Sequence, residues 1–145
     1  MARTILQAKT SRVNRAAKTA PPSAASAYCR DLDNWPRSWM GLEKDLPAGA
    51  QLRACFRLCI EHLAASSLSS KTIRNHADNF WMLGGEIIRD LHYTPSLRKV
   101  DGDGLLREAI HADGGPLVHN GSEETQRFFD STCRKLHRFL TQSRR

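Results

Sequence analysis

The chain has 145 residues, 40% of them apolar and 26% charged, with 22 Lys and Arg against 15 Asp and Glu for a net charge of +7. That length supports one domain able to bury about two thirds of its unfolded surface, and the balance is globular rather than disordered. The longest apolar run, Phe80 to Gly85, is far short of the roughly 18 residues that cross a bilayer, so no membrane partner is expected.

The charge is unevenly placed. Residues 1–30 hold six cations (Arg3, Lys9, Arg12, Arg15, Lys18, Arg30) and no acid, whereas residues 31–145 hold sixteen cations and all fifteen acids. Beyond the last acid, Asp130, come Arg134, Lys135, Arg138, Arg144 and Arg145. Basic ends around a balanced middle suit a polyanionic partner. Residues 1–20 lack the apolar centre of a secretory signal. Their Arg- and Ala-rich, acid-free character also fits an organellar transit peptide, and the cytoplasm is the default location.

Residues 1–27 read as a basic, flexible tail, with linker chemistry at Ala20-Pro21-Pro22-Ser23-Ala24-Ala25-Ser26. Residues 28–47 form a strap in which Pro36 is expected to break any helix. Trp35 and Trp39 are expected to pin the strap to a helical domain over residues 48–145. In that domain Leu52, Cys55, Phe56, Cys59, Ile60 and Leu63 recur at helical spacing and predict a helix ending at Ser66. Ser69 or Ser70 caps a second helix, whose inner stripe is Ile73, Ala77, Phe80, Leu83 or Gly84, Ile87 and Leu91. Gly84-Gly85 inside it costs about 2 kcal/mol of propensity, which implies a bend or a closely packed backbone. Asp103 is expected to cap a short helix, Leu105 to His111, and Ser122 a last one. On this last helix Phe128, Phe129, Cys133, Leu136, Phe139 and Leu140 face inward. No segment alternates with period two, so the fold class is all-α, a bundle of four to five helices.

Catalytic and cofactor motifs are absent. The turn at Asp101-Gly102-Asp103-Gly104 lacks the pattern of a phosphate loop, and as half a calcium loop it fails at Leu105 and Ala112. Cys55, Cys59 and His62 share a helical face but lack the second ligand pair of a structural zinc site. With Cys29 and Cys133 they read as buried thiols rather than a disulfide framework. Neither G-x-S-x-G nor H-E-x-x-H occurs. The expectation is a protein that is not an enzyme, with no metal and no cofactor.

The informative stretch is Leu68 to Phe80. Ser69, Ser70, Lys71, Thr72, Arg74, Asn75 and His76 crowd the start of the second helix, away from Ile73, Ala77 and Phe80. Hydroxyls, cations and helix-terminal amides suit phosphate contact, and Arg74 and Asn75 suit base edges. Ser69, Lys71, Thr72, Asn75, His76 and Asn79 resemble the recognition helix of LuxR-type helix-turn-helix regulators. Upstream the pattern departs, because one uninterrupted helix replaces the Gly-containing turn and short helix of that family. The wider layout over residues 48–142 resembles the core-binding (SAM-like) helical domain of tyrosine recombinases, without the catalytic half: no H-x-x-R occurs, and the tyrosines are Tyr28 and Tyr93. That resemblance implies a domain that holds DNA without cutting it.

The expected function is therefore non-catalytic binding of duplex DNA through the basic ends and the start of helix 69–83. Ser69, Ser70, Lys71, Thr72, Arg74, Asn75, His76, Arg134, Lys135 and Arg138 are the contact residues. The alternative is a helical adaptor or inhibitor that meets a protein partner through Trp35 and Trp39, a reading that weakens if both indoles are buried. A catalytic reading would require His62, His76 and an acid to converge in a polar pocket.

Overall fold

A computed structural model describes residues 24–118 and 121–142. Among them five α-helices form an all-α bundle: α1 (Trp35–Trp39), α2 (Leu46–Ala64), α3 (Ser70–Tyr93), α4 (Gly102–Ala109) and α5 (Glu123–Gln142). No strand forms among the described residues; an isolated bridge joins His111 and Gly114. Of the expected tail over residues 1–27, residues 1–23 with all five of its cations lie outside the described residues, as do the terminal Arg144 and Arg145.

α2 and α3 make the central hairpin, joined by residues 65–69. Their apolar stripes meet at Phe56 and Phe80, whose rings stack with centroids 5.2 Å apart. Leu52, Phe56, Cys59, Ile60 and Leu63 of α2 and Ile73, Ala77, Phe80, Leu83, Ile87 and Leu91 of α3 are all buried, as the helical periodicity requires. Cys55 lies at the margin of the stripe, half-buried. α4 packs on α2 and α5 on α3.

The strap belongs to the same core. Ala25, Leu32, Trp35 and Trp39 are buried in one cluster with α2 and α3, and Ala24–Ala27 is a 3-10 turn rather than linker. Pro36 does not break a helix; it sits in the first turn of α1, where its missing N–H would have no partner in any case. The Trp39 indole lies against Gly84, where any Cβ would enter the ring, and its N–H donates to the Trp81 carbonyl at 2.9 Å. The Gly84-Gly85 pair thus admits a side chain, not a backbone.

One further boundary differs from expectation. α4 starts at Gly102 and its cap is Asp101, which accepts from the Gly104 amide at 2.8 Å. Asp103 lies in the first turn of the helix and pairs with Arg107 one turn on. At α5 the Ser122 cap forms, accepting from the Thr125 amide at 3.1 Å. Its buried side is Phe129, Thr132, Cys133, Leu136 and Leu140. Phe128 falls off that stripe and is 36% exposed, while Phe139 is half-buried.

Asp45 closes the strap onto the far end of α3. Its fully buried carboxylate accepts from the amides of Gly41 and Leu42 and is paired with Arg98 at 3.0 Å and His92 at 3.2 Å. Burial alone would raise its pKa. The two amides, the guanidinium and the imidazole outweigh it and hold the carboxyl below its ordinary value of 3.8.

Candidate functional site

The start of α3 is built by Ser69. Its extended backbone and side chain cap the helix: the hydroxyl accepts from the Thr72 amide at 3.1 Å and donates to the Thr72 hydroxyl at 2.9 Å. Ser69 and Thr72 are thereby committed to each other. Ser70, Lys71, Arg74 and Asn75 are exposed, on the side away from buried Ile73, Ala77 and Phe80. Lys71 has no carboxylate partner among the described residues.

His76 is not a surface contact. It is 1% exposed, and its Nδ1 lies 2.6 Å from the Thr132 hydroxyl of α5. Asn79 Nδ2 donates to the same oxygen at 2.9 Å, and that hydroxyl lies 3.2 Å from the Phe128 carbonyl as a donor. Phe128 stacks over the imidazole at 5.1 Å. Burial, and then the charge of Lys135, push His76 down to about 4, so at neutral pH it is an uncharged strut between α3 and α5. The positions explain why: Ile73, His76, Ala77 and Phe80 fall at i, i+3, i+4 and i+7, one buried face.

The remaining expected contacts separate into two groups. Lys135 and Arg138 line a cleft of about 300 Å³ beside Ser66, Ser67 and Leu68, the turn that leads into the Ser69 cap. Arg74 lies elsewhere, its guanidinium 5.9 Å from the centre of the Tyr28 ring, at a second depression of about 630 Å³ that also holds Asp31 and Asp78. Burial and then the charge of Asp31 raise Asp78. Arg134 turns away from both and donates to the Asp113 carbonyl at 3.2 Å.

Two features escaped the sequence reading. His62 and Phe139 both line the cleft, their ring centres 5.1 Å apart. Trp81 is 43% exposed, its N–H donating to the Ser38 hydroxyl at 2.9 Å. Its position just off the 73–77–80–84 stripe was the available signal. No group of three or more His, Cys, Asp or Glu residues capable of holding a metal converges among the described residues. Cys29, Cys59 and Cys133 are buried thiols raised to about 12, chiefly by burial. None of the described helices is long and apolar enough to cross a membrane.

No protein-family model matches the chain, and no curated protein or solved structure matches it either.

Proposed function

We propose that the protein is a non-catalytic DNA-binding module that grips the phosphate backbone with the end of the bundle where α2 turns into α3. The observation that carries the reading is a cleft that gathers cations without acids. Lys71, Lys135 and Arg138 have no carboxylate partner among the described residues, and no described carboxylate lines the cleft that Lys135 and Arg138 share. Cations left unneutralised beside exposed Ser70 and Asn75 are what counterion release rewards. The resemblance read from the sequence over residues 48–142 to a recombinase core-binding domain would imply the same reading.

The adaptor alternative loses its stated anchors, because Trp35 and Trp39 are 2% and 9% exposed and pack on the chain's own Phe56. The test is a salt-titrated mobility shift with random-sequence duplex. Neutralising five or six phosphates gives a log–log slope of about −5. Binding that does not change with salt, or no binding at low salt, would sink the proposal.

A further inference from the structure

The cleft at the end of the bundle offers more than charge. Lys135 and Arg138 lie on its α5 wall, and the opposite wall is the last turn of α2 with Ser66 and Ser67. No carboxylate lines it among the described residues. Two rings in mutual contact line it, exposed His62 and half-buried Phe139, centres 5.1 Å apart and tilted at 43°. A duplex buries its base faces in its own stack, so phosphate contact with Lys135 and Arg138 makes no use of these rings. An unstacked base presents a π-face that an aromatic pair can receive while nearby cations hold its phosphate. The volume, about 300 Å³, lies at the small end of ligand cavities, the scale of one nucleotide.

We infer that this cleft binds one unpaired nucleotide of a nucleic-acid strand, its base against His62 and Phe139 and its phosphate on Lys135 and Arg138. The inference rests on the DNA-binding reading and narrows its substrate: the site prefers single strands or frayed ends over blunt duplex. The Ser66 hydroxyl is already engaged, donating to the Leu63 carbonyl and accepting from the Leu68 amide at 3.2 Å. Ser67 is therefore the hydroxyl assigned to the phosphate.

The experiment compares a short oligothymidylate with a blunt random-sequence duplex by fluorescence anisotropy. The chain is tested as wild type, Phe139→Leu, Phe139→Tyr and His62→Ala, each checked by thermal melting. Leucine keeps the apolar volume and removes the π-face; tyrosine restores it. Phe139→Leu is expected to weaken oligothymidylate binding about 10-fold and leave duplex binding unchanged. Phe139→Tyr should recover the wild-type value, and His62→Ala should fall in the same direction as Phe139→Leu.

Duplex binding with an intact salt slope, combined with oligothymidylate binding indifferent to both ring variants, would overturn this inference and leave the DNA-binding reading standing. Absence of binding to either probe at low salt would overturn both. Thymidine monophosphate that displaces the labelled strand as effectively as unlabelled oligothymidylate would assign the cleft to a free nucleotide and contradict the strand.

Discussion

The cations that tie α2 to the strap differ from those around the 65–69 turn, although Arg37 and Lys44 of the strap also have no carboxylate partner among the described residues. Around the strap, Arg53 and Arg57 of α2 both reach Asp33 at 3.1 Å, and Arg98 reaches buried Asp45. These charges hold the polypeptide to itself. Around the 65–69 turn, Lys71, Lys135 and Arg138 have no such partner among the described residues, though the overall composition from residue 31 onward is nearly neutral. Net charge alone therefore misses the distinction. What matters is which cations the fold has already neutralised, because only the others exchange counterions for phosphates.

The largest expected effect sharpens the contrast between core and surface. Phe80→Ala removes a fully buried ring stacked on Phe56 and should cost about 3–5 kcal/mol in denaturant unfolding. Phe128→Ala should cost about 1 kcal/mol, the scale of a ring-stacking contact, because that ring is only partly covered and its contact is His76. Equal losses would show that α5 is turned the other way.

The His76 strut predicts a pH dependence. Its folded pKa, about 4, lies below the ordinary 6.5, so between these values the unfolded chain binds the additional proton. Stability is full above pH 6.5 and falls as pH drops toward 4, by up to about 3 kcal/mol. Asp45 acts lower, since a depressed carboxyl contributes above 3.8 and is lost only as pH falls below it. Urea unfolding across the window from 6.5 to 4 should show the slope in wild type and a flat response in His76→Gln. A flat wild type would mean that the imidazole is not buried neutral.

At the strap, Gly84→Ala should destabilise by about 1–3 kcal/mol through collision with Trp39. This outcome opposes the gain of about 1 kcal/mol that helix propensity alone predicts. A higher melting temperature would place the indole elsewhere.

Periodicity made α2, α3 and α5 legible, and hydroxyl chemistry marked the starts of α3 and α5 at Ser69 and Ser122. The error at His76 came from a polar residue inside an apolar register. It forms a buried hydrogen-bonded set with Asn79 and Thr132, and it looked like surface until the partner helix was in place. Arg134 and Arg74 looked equivalent to Lys135 and Lys71, yet one is held by a loop carbonyl and the other sits over Tyr28. Such pairings span more than twenty residues of chain, beyond the reach of local pattern. The cleft between His62, Phe139 and Lys135 was illegible for the same reason.

The smallest effects on stability decide the function. Lys71→Ala/Lys135→Ala/Arg138→Ala should change unfolding free energy by no more than about 0.5 kcal/mol per site, and Arg53→Ala/Arg57→Ala should cost little more, since exposed pairs contribute at most about 1 kcal/mol. The direct test of the central claim is the salt dependence of duplex binding by these two variants beside wild type. The triple variant is expected to lose about 3 units of log–log slope, one for each lost phosphate contact, while the double variant keeps the wild-type slope. Equal slopes in all three proteins, or a larger loss in the double variant, would contradict it.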